Sequence, residues 1–125
     1  MRKNEAKFQT IFNQYLRKKR MVGFFELKEA HGNSIPFSAV KEHQLSGLIA
    51  ASNNGFIWKL SDEDQREKPF DCMYAGQAPG YVVIKFGKVF YIMTAQVFEE
   101  ERDLSTRKSL TRQRAKELST CEVTL

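Results

Sequence analysis

The sequence predicts an α+β fold: one domain over residues 1–125, with a mixed central β-sheet flanked by helices. Three observations support this class. The length of 125 residues suits a single domain. Helix-like and strand-like hydrophobic patterns alternate along the chain. Aromatic residues make up 12% of the chain, including ten Phe, which is enough bulk for one core.

The first half of the chain is predicted to contain a helix, a strand and a second helix. A helix over residues 4–20 follows from apolar side chains at three-and-four spacing: Phe8, Ile11, Phe12, Tyr15 and Leu16. Residues 21–30 alternate in the manner of a strand. After a turn at residues 31–34, the second helix is expected over about residues 38–52, and Asn53-Asn54-Gly55 ends it.

The second half is predicted to contain four strands and a helix. We expect strands at residues 56–60, 70–74, 81–86 and 89–93, with a polar, mostly acidic loop over residues 61–68. Gly87-Lys88 is typical of a two-residue hairpin turn between the last two strands. A basic C-terminal helix is expected over about residues 104–119, and residues 121–125 stay unassigned.

The net charge of +5 is unevenly distributed. Residues 1–20 hold seven bases and one acid, residues 105–116 hold five bases and no acid, and the rest holds eight bases and fourteen acids. Basic ends indicate a polyanion partner, although solvated helix faces would explain them as well. We predict that nine basic residues contact DNA: Lys7, Arg17, Lys18, Lys19, Arg20, Arg107, Lys108, Arg112 and Arg114.

Several classes of protein are disfavoured by the composition. No apolar run is long enough for a membrane span, and the first residues do not resemble a signal peptide. Cys72 and Cys121 are too few for a disulfide scaffold and lack the spacing of a zinc site. We therefore expect no membrane association and a reducing, cytoplasmic location.

The pattern with the clearest chemical meaning is Glu26-Leu27-Lys28. On a strand, Glu26 and Lys28 lie on one face, about 6.5–7 Å apart. Glu26 and the Leu27 carbonyl are suitable oxygen ligands for Mg²⁺ or Mn²⁺, and Lys28 is suited to position water or a phosphate. A plain ion pair on an exposed face is the simpler interpretation.

Three further polar residues stand out in their surroundings. Asp71, which follows Pro69 at the start of a strand, is predicted to be a second metal ligand, or else a strand-entry residue. Gln44 lies on the apolar face of the second helix, where it assists the site or bonds a backbone group. Glu5 shares the apolar face of the first helix and is also expected to assist.

The order of these motifs resembles the PD-(D/E)XK nuclease superfamily, and within it the Holliday-junction resolvases of the RecU type and their phage-encoded relatives. Residues 24–28 are similar to that family's metal-binding strand. Residues 35–44 are similar to its following loop and helix, in which the Gln assists the site, and residues 81–86 and 89–93 are similar to its late strands. The resemblance covers roughly residues 4–98, and it implies a restriction-endonuclease-like core.

One feature of that family is missing from its usual place. In the family, an Asp on an earlier strand precedes Glu-x-Lys, whereas residues 21–25 contain no acid. We infer a permuted arrangement in which the strand that carries Asp71 pairs alongside the Glu26 strand. A rival assignment, Asp71 with Val83-Ile84-Lys85, lacks the carboxylate and is followed by a hairpin instead of a helix.

The resemblance implies a Mg²⁺-dependent (or Mn²⁺-dependent) endodeoxyribonuclease, specifically a structure-specific Holliday-junction resolvase of DNA recombination. Its partner would be branched or duplex DNA. A homodimer is expected, because a four-way junction has two-fold symmetry. A non-catalytic DNA-binding or nucleoprotein-scaffold domain is the alternative, and RNA stays open as a substrate.

Overall fold

A four-stranded sheet lies at the centre of the fold in the computed structural model, which describes residues 2–59 and 70–124, with side chains from residue 7 onward. The helices are α1 (Arg2–Lys19), α2 (Glu42–Asn54), α3 (Ala95–Leu104) and α4 (Arg112–Leu118). The strands are β1 (Phe24–Ala30), β2 (Ser34–Pro36), β3 (Phe56–Lys59), β4 (Cys72–Ala75), β5 (Gly80–Phe86), β6 (Val89–Thr94), β7 (Ser109–Thr111) and β8 (Cys121–Thr124). The central sheet has the order β1-β5-β6-β8, with β1 and β5 parallel and the other pairs antiparallel. The predicted α+β domain with a mixed, helix-flanked sheet is thereby confirmed.

Both faces of this sheet are covered, which explains why β5 is apolar at nearly every position. On one face, Phe8 and Phe12 of α1 pack against Phe90, and the rings of Phe8 and Phe90 stack with centroids 4.7 Å apart. On the other face, α2, α3 and α4 cover a larger cluster that includes Val82 and Ile84. Glu26 and Lys28 lie on this second face, because they alternate with residues that pack under α1.

The prediction of one basic helix over residues 104–119 is wrong. Leu104 ends α3, and β7 then pairs antiparallel with β2 before α4 begins. The hydroxyl of Thr111 accepts a hydrogen bond from the Arg114 N–H at 3.1 Å and so caps α4. Ser and Thr compete for backbone hydrogen bonds in this way, and the competition breaks the segment into a strand and a short helix.

Other boundaries differ by smaller amounts. Helix α3 was not expected, and Thr94 is its N-cap: the Thr94 hydroxyl accepts a hydrogen bond from the Val97 N–H at 3.3 Å. Helix α2 begins later than predicted, because residues 37–39 form a 3₁₀ turn. The unassigned tail forms β8, which completes the sheet beside β6.

The expected pairing of the Asp71 strand with the Glu26 strand is also wrong. β4 pairs antiparallel with β3, from Phe56 opposite Ala75 to Lys59 opposite Cys72, and these two strands form a separate ribbon. The sheet neighbour of β1 is β5. The backbone groups of β4 pair with the neighbouring strand β3 and not with β1. Asp71, which immediately precedes β4, therefore belongs to the ribbon.

Candidate active site

Three predicted site residues lie together, and two of them contact one carboxylate oxygen of the third. Glu26 and Lys28 project from β1 towards α2, and Gln44 lies in the first turn of α2. The Gln44 Nε2 donates to Glu26 Oε1 at 3.0 Å, and the Lys28 Nζ lies 3.2 Å from the same oxygen. A carboxylate, an ammonium group and an amide are therefore held together between the edge strand and the helix.

Gln44 is held in one orientation by the start of its own helix. Its Oε1 accepts a hydrogen bond from the backbone N–H of Lys41 at 3.0 Å, so the side chain caps α2. With the oxygen engaged, the amide nitrogen is directed at Glu26. The interpretation that Gln44 bonds a backbone group is confirmed, and the other end of its amide bonds Glu26. A role of Gln44 in catalysis stays a prediction.

The cluster is half-buried, and Gln44 and Lys28 both contact the same oxygen of the carboxylate. The side chains of Lys28 and Glu26 are 22% and 28% exposed. Partial burial strengthens their attraction relative to an ion pair in water. Among the described residues, the side-chain contacts that Gln44 and Lys28 make with this carboxylate are both to Oε1.

The backbone of β1 adds a second oxygen. The Phe24 N–H donates to the Pro79 carbonyl at 2.9 Å, so the polar groups of Phe24 face β5. These groups point to alternate sides along a strand, and Leu27 therefore directs its carbonyl away from β5. No described strand pairs with that side of β1. The Leu27 carbonyl thus lies at the sheet edge, directly after the residue that carries the carboxylate.

Asp71 is exposed and directly precedes Cys72. It therefore lies at the end of the ribbon where Cys72 pairs with Lys59, away from the end that holds Phe56. Pro69 and the loop over residues 61–68 fall outside the described residues. In residues 2–59 and 70–124, no three His, Cys, Asp or Glu side chains are grouped so that they could hold a metal ion. The contribution of Asp71 to a metal site stays a prediction from the sequence.

The other predicted site residues are dispersed. Glu5 lies within α1, but its side chain falls outside the described part of the chain. The nine basic residues predicted to contact DNA are exposed. Arg114 already makes hydrogen bonds of 2.8 and 3.0 Å to Glu101, which raise the pKa of its guanidinium group, and it pairs with Glu117 as well. It therefore offers less net charge to a polyanion than its neighbours do.

An aromatic contact beside the cluster was not anticipated. The rings of Phe24 on β1 and Phe56 on the ribbon meet edge to face, with centroids 5.9 Å apart. Alternation places Phe24 on the same face of β1 as Glu26. The sequence does not reveal this contact, because β3 looks like an ordinary apolar strand, whereas all four of its residues are exposed.

Comparison of the chain with family models, with curated proteins and with solved structures found no match. Among the described helices, none has the length and apolar character needed to cross a bilayer.

Proposed function

We propose that this protein is a metal-dependent endodeoxyribonuclease that acts on branched DNA as a Holliday-junction resolvase. The observation that carries the proposal is the convergence of Lys28 and Gln44 on the Glu26 carboxylate. Carboxylate and ammonium groups on one strand face, next to an outward carbonyl, match the needs of phosphodiester hydrolysis. The restriction-endonuclease-like core is part of this proposal.

The Glu26 carboxylate and the Leu27 carbonyl are oxygen donors of the kind that a hard cation takes. Mg²⁺ is commonly held by one or two carboxylates, with water and substrate phosphate completing its coordination. In the proposal, Glu26 Oε2 and the Leu27 carbonyl would hold Mg²⁺ or Mn²⁺, and Asp71 would be the second carboxylate. The metal ion would supply Lewis-acid activation of the scissile phosphate.

The side chains of the cluster would have distinct tasks. Gln44 donates to Glu26 Oε1. It would thereby hold Glu26 in one rotamer and leave Oε2 for the metal ion. Lys28 would hold the attacking water or a phosphate oxygen and would stabilise the charge that develops on the phosphate. Glu5 is proposed to assist from α1.

The surrounding charge supports a polyanionic substrate. The run of exposed bases at the end of α1, from Arg17 to Arg20, and the exposed Arg107, Lys108 and Arg112 would contact the DNA backbone. Binding of this kind is largely independent of sequence and weakens steeply with salt. Homodimerisation, to match two symmetric cuts, and a cytoplasmic setting remain part of the proposal.

Cleavage of labelled four-way junction and duplex DNA with and without Mg²⁺ tests the function. Glu26→Gln should lower the rate at least about 100-fold, because it removes the anionic ligand. Glu29→Gln is the matched control: Glu29 is on the same strand but on the opposite face, next to Lys85 in the register, and its rate should stay near that of the wild type. Asp71→Asn tests the second ligand in the same assay.

Two results would contradict the proposal. DNA binding by the wild type without metal-dependent cutting would favour the non-catalytic scaffold. Full activity of Glu26→Gln would show that the cluster has no part in catalysis. Full activity of Asp71→Asn would contradict only the role of Asp71 as the second ligand. An RNA junction in parallel decides between the two nucleic acids.

A further inference from the structure

The β3–β4 ribbon exposes an unusual amount of apolar surface. Trp58 is 60% exposed and Tyr74 is 65% exposed, while Ile57 and Met73 are each more than half exposed. Trp58 and Met73 form an exposed apolar pair on one face, and Ile57 and Tyr74 form another pair on the opposite face. Exposed apolar surface of this kind marks a site that binds a partner. An isolated two-stranded ribbon is also only marginally stable by itself, so a partner would stabilise it.

One face of the ribbon connects its exposed end to the candidate site. Phe56 and Trp58 lie on this face, because they are two residues apart on β3. Their rings meet edge to face with centroids 6.3 Å apart, and Phe56 meets Phe24 in turn at 5.9 Å. Phe24 shares its face of β1 with Glu26. The rings of Phe24, Phe56 and Trp58 therefore form a row that leads from the face of Glu26 to the exposed indole of Trp58.

Positive charge lies at the same end of β1. The exposed bases Arg17, Lys18, Lys19 and Arg20 end α1, and Phe24 follows Arg20 within about 14 Å, the greatest reach of four residues. Arg20 has φ 54° in a helix-ending motif in which the Met21 N–H bonds the Leu16 carbonyl at 3.2 Å. Glycine would be less strained at this position, so the arginine adds charge here at a conformational cost.

We propose that the ribbon and the end of α1 together bind an unpaired DNA strand, with bases stacked on Trp58 and Phe56 and phosphates held by Arg17–Arg20. The choice of DNA rests on the proposed function, but the surface does not depend on catalysis. Aromatic platforms beside basic runs are the general means of binding single strands. A second copy of the chain fits the surface less well, because symmetric contact at the ribbons would bring two basic runs together.

The test uses the single tryptophan of the chain, Trp58, as its reporter. Glu26→Gln protein in EDTA is titrated with a 15-nucleotide oligo(dT) and with blunt duplex of equal length. Stacking should quench the fluorescence with oligo(dT), and oligo(dT) should bind more tightly than duplex. In anisotropy with labelled oligo(dT), Trp58→Leu should weaken binding about 5- to 150-fold, the range for loss of one stacked base.

Two further variants separate stacking from charge and from general surface effects. Leu104→Ala removes another exposed apolar side chain, on α3, and should bind as the wild type does. Arg20→Gly should weaken binding of oligo(dT) and lower the salt dependence of that binding by about one released counterion. The same change should raise the urea midpoint of unfolding, because glycine adopts the positive φ of this position without strain.

Three outcomes would overturn the proposal. They are unchanged binding by Trp58→Leu, equal affinity for duplex and oligo(dT), and a dimer in sedimentation that Trp58→Leu dissociates, which would make a second copy the occupant. Failure of the nuclease proposal is distinguishable from these. If the wild type cuts no DNA but its binding of oligo(dT) depends on Trp58, the result supports DNA binding by the ribbon and contradicts the proposed nuclease activity.

Discussion

The two bonds of the Gln44 amide make this side chain a link between the first turn of α2 and the carboxylate of Glu26. A residue on the apolar face of a helix would ordinarily be apolar. An amide is required here because the oxygen must accept from a backbone N–H while the nitrogen donates to an anion. Neither an apolar side chain nor a carboxylate can make both bonds.

Gln44→Ala should lower the free energy of unfolding by about 1–2 kcal/mol, because it removes a helix cap and a hydrogen bond to a charged group. His43→Ala is the matched control, since His43 is an exposed neighbour in the same turn, and it should stay within about 0.5 kcal/mol of the wild type. Urea denaturation measures both variants. Equal effects of the two substitutions would show that the amide carries no structural role.

For single residues, the sequence predicted which side chains share a face of a strand, but not which side chains meet between two elements. The positions of Glu26 and Lys28 on one face follow from strand alternation alone, and the structure confirms that their charged groups meet. The carboxylate partner of Gln44 was not predictable in the same way. It depends on how α2 crosses β1, which local pattern does not determine.

Among the secondary-structure elements, α2 and β5 approach each other at backbone distance. A Cβ built at Gly80, the first residue of β5, would lie 2.6 Å from the Leu48 carbonyl oxygen of α2. Leu48 lies one turn after Gln44. The absence of a side chain at Gly80 therefore sets the depth at which α2 packs, and with it the distance from Gln44 to Glu26.

Gly80→Ala should destabilise the protein by about 1–3 kcal/mol, because the obstructing atoms belong to backbone and cannot rotate away. It should also lower any metal-dependent cleavage by displacing Gln44. Gly47→Ala, on α2 itself, is the control: a Cβ there meets nothing within 4 Å, and the variant should be as stable as the wild type or up to about 1 kcal/mol more stable. A Gly80→Ala variant with an unchanged urea midpoint would refute this account of the packing.

The β5–β6 hairpin was predicted from the sequence, whereas strand β7 and helix α3 were not. The β5–β6 hairpin was predicted because its turn requires only Gly87, which has φ 62°. Strand β7 was missed because its pairing partner is β2, far earlier in the chain. The caps at Thr94 and Thr111 were visible signals of two separate helices.

On the scale of the whole molecule, the first helix is in contact with the last strand. The hydroxyl of Tyr15 on α1 lies 3.5 Å from Cys121 Sγ on β8. The hydrogen bond to Cys121, followed by burial, raises the pKa of Tyr15 from 10.0 to about 12. Between pH 10 and about pH 12, Tyr15 therefore stays protonated in the folded state but is deprotonated in the unfolded state.

The free energy of unfolding should therefore fall as the pH rises from about 10 towards 12, and the contribution of Tyr15 should be constant below pH 10. Cys121→Ala should return the pKa of Tyr15 towards 10 and flatten this dependence, whereas Cys72→Ala, which alters an exposed cysteine, should not. Absorbance titration of tyrosinate, together with urea denaturation at several pH values, measures both effects. A Tyr15 pKa that is insensitive to Cys121→Ala would contradict the assignment.

The parallel pairing of β1 with β5 has a consequence for the order of folding. Gly80 follows Ala30 by about 50 residues, so the loop that closes when these strands meet is long, and its closure costs entropy. The β5–β6 hairpin closes through two residues and should form within microseconds. We expect β1 to join a preformed hairpin late, and during synthesis it has no sheet partner until β5 has left the ribosome. Under the proposed function, the nascent chain would carry Glu26 before its site is assembled, and cleavage would begin only once the domain is complete.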